Sequence, residues 1–192
     1  KGGRIRDIIF KRFRKPVYID SDINCLMLGE MHHGSCKERK HLACISFDTN
    51  IKTGGIINNQ LCVYPKNSTK EIDCLSEFQY SSIKQYPESY KYTIDELEYF
   101  ARTYPEELND PKHEVWENIG IITGRLIGIL FNNYNPEVIV LAGNLSKFFE
   151  TVMDSISTYL NIFHRSGKDI ISRIIPSNND NIRALGAAVL IP

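Results

Sequence analysis

Asn135-Pro136-Glu137-Val138-Ile139-Val140-Leu141-Ala142-Gly143-Asn144-Leu145-Ser146 reads as a helix stop, a buried strand and a strand-to-helix turn in immediate succession. Asn-Pro ends the preceding helix because proline cannot continue it and restricts the residue before it. The run from Val138 to Leu141 is apolar without alternation, which fits a strand covered on both faces. Gly143 then closes the strand in a tight turn. Upstream, 111–134 carries Val115, Trp116, Ile119, Ile122, Leu126, Ile127, Leu130 and Phe131, dense enough for a nearly buried helix. Asp110-Pro111 is its expected start, with proline at the first helical position. Downstream, Phe149, Val152, Met153, Ile156, Leu160 and Phe163 recur at helical spacing, 170–175 reads as another strand, and 182–190 as a last helix rich in small residues.

The first half extends the same alternation. Residues 1–15 hold seven basic residues and one acid. One reading is a nucleic-acid-binding arm; the other is an amphipathic helix, since Ile5, Ile8, Ile9 and Phe13 fall on one helical face. Residues 16–20 read as a buried strand, and Ser21 with Asp22 supplies N-cap chemistry for a helix to about His32. Residues 42–47 read as a second strand. Residues 54–57, Asn58-Asn59 and 60–64 read as a hairpin with a type I′ turn, because asparagine tolerates positive φ. Residues 65–92 are polar and irregular. Thr93-Ile94-Asp95-Glu96 is a capping box opening a helix with Ile94, Leu97 and Ala101 on one face. The pattern is α/β with a mixed sheet and flanking helices.

Composition narrows the function classes. The chain has 192 residues, with Lys+Arg 23 balancing Asp+Glu 23. Neutral charge argues against a nucleic-acid-binding module within this sequence, because phosphate neutralisation dominates such affinity. No apolar run approaches the length of a membrane span. Cys25, Cys36, Cys44, Cys62 and Cys74 are widely spaced, without a Cys-x-x-Cys pair, and are expected to be reduced thiols in a cytoplasmic protein.

In open α/β sheets, ligands gather beyond the carboxyl ends of strands. Three such points carry chemistry: Asp20-Ser21-Asp22-Ile23-Asn24, then 48–55, then Ala142-Gly143-Asn144. Asp22 can be a plain helix cap or a carboxylate aimed at a ligand hydroxyl. Gly54-Gly55 can be a hairpin bulge or part of a phosphate cradle. Gly143 can be no more than a tight turn.

The segments PVYIDSDINCLMLGEM (16–31), FDTNIKTGGII (47–57), CLSEFQYSS (74–82), NPEVIVLAGNLS (135–146) and ALGAAVL (184–190), in this order, resemble the ROK family of sugar kinases and sugar-responsive transcriptional repressors. The resemblance implies an actin-like, ribonuclease-H-like ATPase fold of two lobes. Residues 1–35 would end the first lobe, 36–177 form the second, and 178–192 close back towards the first. The family's first phosphate loop, and the winged helix of its repressors, would lie outside this sequence.

By the resemblance, Asp22 stands where family kinases hold the base that takes the sugar hydroxyl proton. Ser21, Asp22, Asn24 and Glu77 would bind the ligand, with Ser21 replacing a family asparagine. Thr49, Gly54 and Gly55 belong to the second phosphate loop, and Gly143 to the turn on the nucleotide side. That loop departs from the pattern: Asp48, Asn50 and Lys52 stand where glycines belong. An Asp in the cradle would repel a triphosphate, since like charges 4 Å apart cost about 4 kcal/mol at an effective dielectric near 20. Of the family's zinc ligands only Cys74 remains, and one ligand cannot hold zinc; His32 and His33 are expected at the surface. These departures imply the effector-binding part of a repressor, needing no cofactor, forming a homodimer and reaching DNA through another domain. The alternative is a sugar kinase using Mg-ATP with a degenerate phosphate loop.

Overall fold

A computed structural model describes residues 2–62 and 94–191. Its centre is a five-stranded mixed sheet in the order β3-β2-β1-β4-β5. The strands are β1 (Leu42–Phe47), β2 (Ile51–Ile57), β3 (Gln60–Leu61), β4 (Val138–Gly143) and β5 (Ile174–Pro176). β1, β4 and β5 run parallel, and the β2–β3 hairpin adds antiparallel to β1. The described helices are α1 (Gly2–Phe13), α2 (Asp22–His32), α3 (Ile94–Thr103), α4 (Val115–Tyr134), α5 (Asn144–Lys147), α6 (Phe149–Phe163), α7 (Gly167–Ser172) and α8 (Ile182–Val189), and both faces of the sheet are covered by helices other than α1.

The continuous apolar character of β1 and β4 follows from this double cover. On one face Ala43, Ile45, Phe47, Ile139 and Leu141 pack with α3, α4 and α6 around buried Trp116. On the other, Leu42, Cys44, Val138, Val140 and Ala142 meet α2 and α8 through Leu26, Met27 and Ile182. α2 and α8 cross at Gly29 and Gly186, where backbone meets backbone: a Cβ on Gly186 would land on the Cys25 carbonyl, and one on Gly29 on the Ile182 carbonyl.

Most elements lie where the sequence puts them. Asn58 and Asn59 both adopt positive φ (52° and 65°), which is the type I′ hairpin. Asn135 takes the left-handed cap that ends α4. The expectation that His32 and His33 are exposed holds as well.

Three elements differ. Residues 16–20 form no strand; no described strand pairs with them, and Tyr18 and Ile19 are exposed. α4 starts at Val115 rather than at Pro111, because Asp110 makes a turn instead: its Oδ1 accepts from Lys112 N–H, and its carbonyl accepts from Trp116 Nε1–H. The expected strand over 170–175 is divided. Ile170 is buried from within helix α7, and only Ile174–Pro176 joins the sheet. A short β-branched run fits either state, and here the helical turn places Arg173 to bind Asn135, the Pro136 carbonyl and Asp169.

α1 forms as an amphipathic helix, but its apolar face stays open: Ile5, Ile8 and Phe13 are all more than half exposed. Residues 65–92, the Thr93 cap, Cys74 and Glu77 lie outside the described residues. Cys25, Cys36 and Cys44 are buried free thiols. Burial, with the Glu30 carboxylate nearby, pushes the Cys36 thiol up to about 12 and Cys44 well above its ordinary value. Both therefore stay neutral and unreactive. Among the described residues, no helix is long and apolar enough to cross a membrane.

Candidate functional site

The carboxyl ends of β1, β4 and β5 share one edge, because Phe47 pairs with Gly143 and Leu141 with Pro176. A polar cleft of about 510 Å³ opens there, lined by Asp48, Gly143, Asn144, Lys147, Asn179 and Arg183 among others. It sits where an open α/β sheet is expected to receive a ligand. α2 enters the same edge with its N-terminus.

Ser21 is the N-cap of α2, its Oγ accepting from Asn24 N–H at 3.3 Å. Asp20 Oδ1 accepts from Ser21 N–H and from Asn24 Nδ2–H, both at 2.7 Å. Ser21 and Asn24 are thus held in place by local bonds. Asp22 occupies the first helical turn. Lys52 Nζ donates to both of its oxygens, at 2.8 and 2.7 Å. The structure therefore brings Ser21, Asp22 and Asn24 together and adds Lys52 to them from β2.

The electrostatics of Asp22 follow from that arrangement. Partial burial pushes its carboxyl up. The Lys52 hydrogen bond and charge, helped by the Arg183 charge, outweigh it and hold the group below its ordinary 3.8. With its folded value lowered, Asp22 contributes stability above the ordinary carboxylate range and loses it as pH falls through the lowered value. K52M is expected to reduce stability near neutrality by up to about 1 kcal/mol, the size of an exposed pair. That deficit should close as the medium is acidified below the lowered Asp22 value. Urea unfolding of both proteins across pH measures it; a deficit independent of pH would show that the pair is not the cause.

The remaining loop residues have structural partners. Gly54 and Gly55 lie within β2, paired with Cys44 and Ala43 rather than in a loop. A Cβ on Gly54 would press on Ile23 at 2.9 Å. Thr49 is in the loop, its Oγ1 donating to Asn50 Oδ1. Glu98 of α3 anchors the loop end, accepting from Ile51 N–H at 2.9 Å and Asn50 Nδ2–H at 3.1 Å. Lys52 does not turn towards Asp48. Arg183 does, donating to Asp48 Oδ2 at 2.9 Å and to Ser46 Oγ at 2.8 Å. Gly143 adopts φ +67°, which favours glycine, and Asp48 packs directly against it.

Three participants escape sequence reading. Arg183 is the single charge in 182–190, a helix otherwise built from apolar and small residues, and that isolation is the one signal it gives. Glu30, buried in α2, accepts from Ser177 Oγ at 2.6 Å and Ser35 N–H at 3.0 Å, tying the β5–α8 loop to α2. Ser177 lines the cleft from that loop. Among the described residues, no three His, Cys, Asp or Glu side chains gather as a metal site.

No protein-family model matches the chain. The xylose repressor of Bacillus spizizenii is 23% identical over 206 aligned positions, covering 97% of this chain and 53% of the repressor. The chain thus spans about half the length of that curated relative. Among solved structures, a ROK family glucokinase from Streptomyces griseus, in complex with glucose and AMPPNP, superposes with a TM-score of 0.65 at 17% identity, covering 96% of this chain and 71% of that one. A ROK family transcriptional regulator, a homologue of the E. coli MLC protein, gives 0.60 at 15% identity, covering 97% and 54%. The likeness thus reaches both sugar kinases and repressors.

Proposed function

We propose, for a chain that resembles the ROK family and has its fold, that it is the effector-binding part of a sugar-responsive transcriptional regulator and does not transfer phosphate. The observation that carries this reading is the pairing of Asp22 with Lys52. A carboxylate held ionised and engaged by an ammonium is a good acceptor for a ligand hydroxyl and a poor base. Asp22 would accept from a sugar hydroxyl, with Lys52 turning to donate to a neighbouring oxygen. Ser21, Asn24 and Glu77 would complete the hydrogen bonds. The likeness to xylose repressors makes a pentose one reasonable member of a test panel.

The residues at the strand ends do not suit Mg-ATP. Asp48 places a negative charge against Gly143, and the two glycines of the supposed loop are committed to β2. Glycine loops bind phosphate through closely approaching backbone N–H groups, and a ladder-paired strand cannot offer them in that way. Binding of the sugar would favour one arrangement of the protein through its differential affinity for it. A DNA-binding domain elsewhere on the protein would report that shift, as a cytoplasmic homodimer on a two-fold operator.

The kinase alternative draws on the likeness to the glucokinase and is separated by one assay. The protein is mixed with Mg-ATP and each of a panel of neutral monosaccharides, and ADP release is followed. No release with any sugar is expected. Release that disappears in D22N would overturn the regulator reading in favour of a sugar kinase.

A further inference from the structure

Asp48 has an unusual position for a loop carboxylate. It leaves β1 at the carboxyl edge of the sheet and turns back into the strand-end crevice. A Cβ on Gly143 would stand only 2.5 Å from Asp48 Oδ1, so the carboxylate packs on the bare α-carbon of the turn. Its other oxygen meets the Arg183 guanidinium at 2.9 Å. Asn144 Nδ2 donates to the Asp48 backbone carbonyl at 3.4 Å, fixing the loop over β4. The same Arg183 nitrogen reaches Ser46 Oγ, while its Nε is buried and has no partner among the described residues.

The charges around the cleft balance only because Asp48 is there. Asp48 and Asp180 face Arg183 and Lys147 on its walls. Lys147 bonds to Asn109 Oδ1, a neutral group. Asp22, which feels the Arg183 charge, is already paired with Lys52. Removing the Asp48 charge would leave two cations against one acid on the cleft walls, and a guanidinium whose remaining acceptor among the described residues is the Ser46 hydroxyl. Arginine in that position presents a fork suited to phosphate or carboxylate.

We propose that Asp48 is a built-in anion, its carboxylate filling between Gly143 and Arg183 a position that would otherwise take an oxyanion such as phosphate from solution. The crevice is closed by occupancy as well as by repulsion. This inference stands apart from the effector reading, since phosphate is not the proposed effector and Ser21, Asp22 and Asn24 are untouched by the test.

Inorganic phosphate is titrated into wild type, D48A and the double variant D48A/R183Q, with binding followed by calorimetry and folding by thermal melting. D48A removes both the charge and the side chain that fills the position, and is expected to bind phosphate at least about tenfold more tightly than wild type, a change of about 1.4 kcal/mol. The double variant is expected to lose that gain. A folded D48A that binds no better than wild type overturns the proposal, and so does a gain that survives in the double variant. Should D48A fail to fold, D48S carries the same test with a side chain still shorter than aspartate.

Discussion

Gly186→Ala is expected to destabilise the chain by about 3 kcal/mol or more, the upper end of what overpacking a core costs. The reason is that the added methyl meets backbone. The Cβ position falls on the Cys25 carbonyl and lies 2.6 Å from the Gly29 nitrogen. A flexible side chain could swing away; two helical backbones locked at Gly29 and Gly186 can relieve the clash only by moving apart. Separation would expose Leu26, Met27 and Ile182, now almost fully buried. Against a typical domain stability of about 5–15 kcal/mol, this is a large fraction. Because α2 carries Ser21–Asn24 and α8 carries Arg183, the variant should loosen both sides of the cleft. Urea denaturation checks the magnitude; a midpoint equal to that of wild type would show that the helices do not cross this closely.

Asp22→Ala is the second change with a large expected effect, on ligand affinity rather than on folding. Hydrogen bonds to charged groups contribute about 1.5–3 kcal/mol each, so removal of this acceptor should weaken sugar binding by about 10- to 100-fold. The fold should hardly notice. Asp22 is at the surface, Ser21 rather than Asp22 caps α2, and exposed ion pairs are worth at most about 1 kcal/mol. Affinity and stability therefore separate in this variant, whereas they fall together in Gly186→Ala.

What could be read from the sequence, and what could not, divides by the range of the interaction. The run at Val138–Ala142 with its terminal Gly143, the Ser21 cap and the Asn58-Asn59 turn are local features, each set by one residue type in one backbone state. They were legible for that reason. The pairing of Lys52 with Asp22 spans 30 residues and that of Arg183 with Asp48 spans 135. Nothing in the spacing announces either, because the partners meet only once β2, α2 and α8 converge on one edge of the sheet. Lys52 and Asp48 lie four residues apart, and the fold gives each a different partner. The misread strands have a similar cause. Whether 16–20 or 170–175 enters a sheet depends on a neighbouring strand with free hydrogen-bonding groups, and that is a tertiary matter.

The most direct measurement is a calorimetric titration of the protein, as wild type and as Asp22→Ala, with a panel of neutral monosaccharides in the absence of nucleotide. Saturable binding of at least one sugar to wild type, weakened by about 10- to 100-fold in a folded Asp22→Ala, is the predicted result. A folded wild type that binds no sugar, or an Asp22→Ala variant that binds as tightly as wild type, would contradict sugar sensing at Asp22.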